Sequence, residues 1–329
     1  DFTKGVATYA GGIYGDSWGS TSVSQCYVSG YFLMDKSHAV GDDIRYATVS
    51  QEESALCKTI ACTVVSDEDM KGEKAKLGMP DLDWENTWYV VENDYPHIDP
   101  LSDSAQAADG IPGTVWSGKS AEDYAGGTGT ADDPYQIATG EQLYKMVREH
   151  CVIGDVPAYY VITEDIKLND TTAENWYEGK KLNQWHYVYG INNAFAGHID
   201  GQGHIVSGMY VKTSSANVRA ALIPQLDAMA TVKNIGVVDS YIDVSLNNSE
   251  CYAATISAYM KSWKENYDVK EEYYPVISNC FGDESVTIKG TFAGGLVSGI
   301  PSPVWLKDCY YVGKIVGGQR YGALIGNAF

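Results

Sequence analysis

Phe292-Ala293-Gly294-Gly295-Leu296 and, fourteen residues on (306 − 292), Leu306-Lys307-Asp308-Cys309-Tyr310 decide how this chain is read. The first pattern is a large residue, two small ones, then an apolar position. It returns as Tyr9-Ala10-Gly11-Gly12-Ile13, Arg219-Ala220-Ala221-Leu222-Ile223, Tyr252-Ala253-Ala254-Thr255-Ile256 and Tyr321-Gly322-Ala323-Leu324-Ile325. The second returns as Val23-Ser24-Gln25-Cys26-Tyr27, Val232-Lys233-Asn234-Ile235-Gly236 and Ile277-Ser278-Asn279-Cys280-Phe281. The two are offset by 14 residues in the first copy (23 − 9) and 13 in the second (232 − 219), and the last two copies repeat after 29 (321 − 292). The copy beginning at Tyr252 is longer, at 25 residues (277 − 252). Its extra length holds Met260 to Tyr274, a polar and aromatic insertion in an otherwise regular turn.

A period of this length, built of short β-rich pieces with glycine corners and no helical periodicity, predicts a solenoid of stacked coils. Stacked strands lie about 4.8 Å apart, so each inward column must keep one size class from coil to coil. Leu296, Cys309 and Ile315 are expected inside, and Gly294 and Gly295 where a corner packs closely. Gln25, Asn234, Asn279 and Asp308 fall on one column, where polar side chains bond along the stack and satisfy turn backbone.

Gly295-Leu296-Val297-Ser298, Ala323-Leu324-Ile325-Gly326 and Gly12-Ile13-Tyr14-Gly15, each with an Asn/Asp-Cys-Tyr-like strand after it, resemble the GLUG-motif repeats of bacterial surface proteins. Residues 126–143 resemble the opening segment of such domains, and Phe195 to His204 their first full coil. The resemblance covers most of 114–329 and, more loosely, 1–100. It implies an all-β fold, a pectin-lyase-like right-handed parallel β-helix (β-solenoid) with short capping helices and aromatic insertions. It also implies an extracellular or cell-surface place.

Three parts are expected: 1–100 as the C-terminal-type part of a solenoid with its closing segment, 101–113 as a Ser/Ala/Asp/Pro/Gly linker, and 114–329 as the capped head and body of a second solenoid. Ser66 to Lys76 reads as a short helix stopped by Gly78 and Pro80. Thr139 to Glu149 reads as one whose Leu143, Met146 and Val147 plug the open stack. The chain both starts and stops mid-coil, at ends that nearly match. An open solenoid end is a template for pairing. Two readings follow. The chain is one period of a longer tandem protein, or its last coil is completed by a neighbouring copy, head to tail, through Tyr9, Gly12 and Ile13 against Tyr321, Leu324 and Ile325.

With 43 acidic and 23 basic residues and a net charge of −20, the chain repels phosphate backbones, which argues against nucleic acid and anionic membrane partners. No apolar run reaches the ~20 residues of a membrane helix, so no membrane insertion is expected. Seven cysteines without a CxxC give neither a disulfide framework nor a zinc knuckle. His198 and His204 bracket Asp200-Gly201-Gln202-Gly203, a turn sequence before it is a catalytic one. The arginines are few, Arg45, Arg148, Arg219 and Arg320, and none stands beside an acidic cluster, so no lyase-like centre emerges. No catalytic residue, metal or cofactor is expected. Two aromatic insertions remain. Trp176, Trp185 and Tyr187 in one, and Trp263 and Tyr267 in the other, suit stacking on sugar rings or anchoring a host surface protein, unless they pack on the solenoid wall. The expected activity is non-catalytic: a surface fibre or filament subunit pairing with its own copies or adjacent tandem repeats. A carbohydrate-binding module is the alternative, and a polysaccharide lyase or hydrolase a more distant one.

Overall fold

The computed structural model describes residues 9–11, 21–29, 57–60, 63–98, 113–150, 157–179, 181–189, 194–244, 250–261, 274–300, 304–316 and 319–328. Nearly all of its regular structure is short strands in four sheets. The longest sheet runs Cys57–Ile60, Thr21–Ser24, Trp305–Lys307, Val276–Gly282, Thr231–Val238, His198–Asp200, Tyr159–Ile162, Tyr135–Ile137. A second runs Tyr9–Gly11, Arg320–Gly322, Phe292–Gly294, Tyr252–Ala253, Val218–Ala220, Tyr187–Tyr189. The third pairs Tyr210–Lys212, Tyr241–Asp243, Thr287–Lys289 and Lys314–Val316. The fourth pairs Ile223–Asp227, Ser257–Lys261, Val297–Ile300 and Ile325–Ala328. Within these ladders each strand pairs in parallel with its counterpart in the adjacent repeat; Tyr187–Tyr189, antiparallel to Val218–Ala220, departs from the rule. The fold is therefore all-β and parallel, as the repeat predicts.

Register follows the hydrophobic columns. Ile199, Val232, Ile277, Leu306 and Val23 stand opposite one another in turn, and each is buried. One buried cluster joins this column to Val211, Ile242 and Ile288 of the third sheet, Ala220, Ala253 and Ala293 of the second, and Ile223 and Val297 of the fourth. Leu296 and Cys309 lie fully inside and Ile315 nearly so. The close approach expected at Gly295 is real: a Cβ there would stand 1.9 Å from the Ala323 carbonyl oxygen and 2.4 Å from the Tyr311 ring.

One register differs from the sequence pattern. Phe292 stands opposite Arg320, so Tyr321 shares its column with Ala293 and turns inward. A one-residue slip exchanges the two faces of a strand, and here Gly322 over Gly294 sets the alignment.

The corner column is present as read. Gln25, Asn234, Asn279 and Asp308 all adopt left-handed backbone, with φ between 50° and 58°, a conformation that short polar side chains tolerate. The Asn234 amide donates to Asp200 Oδ1 at 2.8 Å, and Asn279 donates to Asn234 Oδ1 at 2.9 Å. In the layers that follow with cysteine, the thiol donates back to the carbonyl two residues earlier, at 3.1 Å for Cys26 and Cys309 and 3.2 Å for Cys280.

Helices are few. Gly140–His150, with Leu143, Met146 and Val147 buried, packs with Trp116 and Trp185 into the core beside the first strands. The expected helix from Ser66 is instead three short turns, Glu68–Met70, Gly72–Lys74 and Ala75–Gly78. Ser66 Oγ does cap the first by accepting from the Asp69 amide, but Gly72 takes φ +59° and breaks the run.

The segment 66–98 lies along the outer face of the long sheet. Met70, Met79, Leu82, Trp88, Tyr95 and Ile98 pack on Ile205, Val238, Phe281, Tyr310 and Tyr27. It is held by the Tyr310 hydroxyl donating to the Pro96 carbonyl at 3.0 Å and by Tyr27 Oη donating to Asp81 Oδ2 at 3.0 Å.

Candidate functional site

The chain ends meet within the same molecule. Tyr9–Gly11 pairs in parallel with Arg320–Gly322, Thr21–Ser24 with Trp305–Lys307, and Tyr27–Ser29 with Tyr310–Tyr311. Cys57–Ile60 and Thr63–Val65 add one further layer. The described strands before residue 66 thus continue the sheets of the body, and the edge expected to await a neighbouring copy is occupied in cis. Of the residues expected at that junction, Tyr9 lies in its paired strand, and Tyr321, Leu324 and Ile325 are buried beneath it. Gly12 and Ile13 lie outside the described residues.

The aromatic insertions divide. Trp185 belongs to the core and is no platform: it is 1% exposed, its indole N–H donates to the Leu222 carbonyl at 3.1 Å, and its ring meets Trp116 at 5.3 Å and Tyr144 at 5.7 Å. An enclosed, fully bonded indole has no face left for a sugar. Tyr187 is half-buried, its ring edge-on to the exposed Tyr189 at 5.6 Å. Trp263 and Tyr267 lie outside the described residues. Trp176 stays half-exposed on the short helix Trp176–Glu178.

Around Trp176 and its neighbour Tyr177 the structure gathers Tyr210, Tyr241, Asp243 and Lys289, which sequence reading missed. Trp176 stands edge-on to Tyr177 at 6.1 Å and to Tyr210 at 6.2 Å. Tyr177 stacks on Tyr241 at 4.3 Å, and Tyr210 lies nearly parallel to Tyr241 at 6.1 Å. Tyr210 and Tyr241 are opposed in register on the outer face of the third sheet. Behind them the Lys289 ammonium donates to Tyr241 Oη at 2.6 Å, lies 3.6 Å from Asp243 Oδ2, and sits 4.9 Å over the Tyr241 ring. Burial raises the Tyr241 hydroxyl pKa despite the lysine. Burial lowers that of Lys289, but the Tyr241 and Asp243 oxygens outweigh it and hold the ammonium charged. The signal was available: two tyrosines at matching places in adjacent repeats.

The histidine turn is structural. His204 Nδ1 lies 3.1 Å from Asp165 Oδ1, the oxygen that also accepts the Ile205 amide at 3.0 Å. His198 Nδ1 meets Thr231 Oγ1 at 3.0 Å and its ring stacks on Tyr159; burial lowers its pKa. Asp200 takes the Gln202 amide at 2.9 Å and the Lys233 ammonium at 2.9 Å. Burial opposes its ionisation, yet these partners and Asn234 pull its pKa down. Asn169, which begins an Asn-Asp-Thr sequon, is buried with its amide donating to the Asn183 and Gly208 carbonyls.

Asp283 behaves differently. Burial, with Asp239 and Glu284 nearby, pushes its pKa up to about 7 against bonds from Ser285. Among the described residues no group of three or more His, Cys, Asp or Glu side chains is placed to hold a metal ion. No described helix is long and apolar enough to cross a membrane.

No protein-family model matches the chain, and no solved structure does. A stretch of 116 residues is 28% identical to part of halomucin from Haloquadratum walsbyi, covering 35% of this chain and 1% of halomucin. The chain thus spans about one hundredth of that relative's length, and the likeness is local.

Proposed function

We propose that the chain is a non-catalytic extracellular scaffold, a right-handed parallel β-helix of the kind seen in GLUG-motif surface proteins, which joins copies or tandem neighbours end to end. The observation that carries this reading is the register of the junction. Residues 9–11, 22–24 and 27–28 fit the last layers strand for strand, and backbone pairing of that kind is indifferent to whether the added strand comes from the same chain or the next. The surface placement rests on the repeat type and leans on the local likeness to halomucin.

The test is sedimentation of the full chain over a wide concentration range beside a variant lacking residues 1–30. Growth of polymers with concentration, lost on truncation, is expected. A full chain that stays monomeric throughout refutes end-to-end joining.

A second reading, glycan binding, is favoured by Trp176, Tyr177 and Tyr210 standing half-exposed together beside hydrogen-bonding groups. Replacing Trp176 and Tyr210 by Ala abolishes retention on insoluble glycans if this reading holds. Unchanged retention, or none in the parent, removes it.

A further inference from the structure

Three thiols lie one above another where the two ends of the sequence meet. Cys280, Cys309 and Cys26 each follow the left-handed corner residue of their layer, and all three are fully buried. Register makes them neighbours. Ile277 opposite Leu306 and Phe281 opposite Tyr310 bracket Cys280 and Cys309; Val23 opposite Leu306 and Tyr27 opposite Tyr310 bracket Cys26 and Cys309. The Tyr27 amide donates to the Cys309 carbonyl at 2.9 Å, and the Cys280 amide to Cys309 Sγ at 3.4 Å. The Cys309 thiol is within hydrogen-bonding reach of both the Cys26 and the Cys280 thiol.

Adjacent in-register strands hold their Cα atoms about 4.8 Å apart, inside the ~4.4–6.8 Å that a disulfide spans, with Cβ atoms needing to close by a few tenths of an ångström. The middle thiol can therefore take one of two partners. A bond to Cys280 would join consecutive repeats, 29 residues apart (309 − 280), which the continuous chain already joins. A bond to Cys26 would join residues 283 apart (309 − 26), across a junction otherwise held by strand pairing and side-chain packing.

We propose that Cys309 forms a disulfide with Cys26 that covalently seals the junction between the N-terminal segment and the last layers of the body. The oxidant is a small-molecule disulfide such as oxidised glutathione. One cysteine thiolate attacks it and releases a first glutathione thiolate; the second cysteine thiolate then attacks the mixed disulfide and releases a second. Two thiol protons and two electrons pass from the protein to the two glutathione thiols formed, and one protein S–S bond results.

Timing decides the partner. Burial raises the Cys309 and Cys280 pKa values, so thiolate is scarce once the layers have closed. Cys280 and Cys309 are enclosed as neighbouring repeats of one continuous body. Cys26 arrives from the far end of the chain, and while its strand is undocked both it and the upper face of Cys309 meet solvent. The junction is thus where oxidant and both thiols coincide, and docking then shields the bond.

The full chain is refolded in a mixture of reduced and oxidised glutathione, alkylated, digested without reduction and mapped by mass spectrometry. The expected product is the Cys26 peptide joined to the Cys309 peptide and lighter by two hydrogens than the reduced pair. The Cys280→Ala variant, checked for folding by circular dichroism, should give the same product in equal or greater yield. On non-reducing gels a fast-migrating single chain shows the bond made in cis, and a ladder of joined chains the same bond made between copies. Linkage of Cys309 to Cys280 alone in the parent, or both Cys26 and Cys309 fully alkylated in the parent and the variant, overturns the proposal. Because assembly is read separately, by sedimentation of the reduced protein, loss of the end-to-end function would leave this result standing.

Discussion

Replacing Trp88 by Ala tests whether the segment 66–98 holds the molecule together. The Trp88 ring is 1% exposed, with centroids 5.5 Å from Tyr310 and 6.1 Å from Phe281. Truncating a buried tryptophan costs about 3–5 kcal/mol in lost transfer energy and cavity. Against that, Trp88 Nε1 is buried with no acceptor, and deleting an unsatisfied donor returns about 1–3 kcal/mol. Taking the centres of the two ranges, the net loss is about 2 kcal/mol, worth roughly thirty-fold in an opening equilibrium.

The loss should be local before it is global, because the segment has a cluster of its own against the sheet. Amide hydrogen exchange should therefore accelerate by that factor at the mutually bonded Tyr89 and His97, while Val232 and Ile277 exchange as in the parent. Trp88→Phe keeps most of the ring and removes the stranded N–H, so it should fall within about 1 kcal/mol of the parent in urea unfolding. An alanine variant with unchanged exchange, or a phenylalanine variant as weak as the alanine one, would refute the packing argument.

The corner ladder and the Asp283 carboxyl give two more expectations. Asn234→Ala removes both ladder bonds and leaves a residue poorly suited to φ 58°, costing about 1–3 kcal/mol, with Asn234→Gly milder because glycine accepts that backbone; thermal melts rank the pair. Asp283 has its folded pKa raised from 3.8 to about 7, so the folded state holds a proton that the unfolded chain has released. Its contribution is present at low pH and is lost as pH rises from about 4 through 7. Asp94 and Asp308 are shifted the same way, chiefly by burial. Urea midpoints should decline over that window in the parent and decline less in Asp283→Asn; parallel curves would exclude Asp283 as a source.

What the sequence made legible is what stacking forces to repeat. Val232, Ile277, Leu306 and Val23 could be aligned because each must fill the same column above the last, and the corner residues because left-handed backbone narrows the choice to Asn, Asp, Gln and Gly. Tyr321 was misplaced by one residue because a large side chain beside a glycine fits either face, and only pairing with Gly294 fixes which. Trp185 looked like part of a surface group because Trp176 is close in sequence. Its partners Trp116 and Leu222 lie far away in sequence, and nothing local announces them. The docking face of segment 66–98 stood in the repeat itself. Tyr27, Phe281 and Tyr310 end the second pattern with an aromatic ring on a face that is ordinarily polar, and Gly236 in the same column leaves room for the Phe281 ring, 2.3 Å from where its Cβ would be.

That aromatic column also explains how a junction of a few short strands holds. Each backbone bond across it is worth about 0.5–1.5 kcal/mol net, too little for three-residue strands to withstand the entropy of a freely moving N-terminal segment. Segment 66–98 changes the balance because it bonds both sides at once, touching Tyr27 through Asp81 and Tyr310 through Pro96. Undocking the N-terminal strands exposes Tyr27 and loosens the segment, and loosening the segment takes Asp81 away from the Tyr27 hydroxyl and Pro96 away from that of Tyr310. On the proposed end-to-end joining, exchange of strands between copies would therefore carry residues 66–98 with it. In that joining the exchanging unit then includes 66–98 along with Tyr9–Gly11, Thr21–Ser24 and Tyr27–Ser29, and replacing Trp88 by Ala lowers the barrier to that exchange along with the stability of the closed chain.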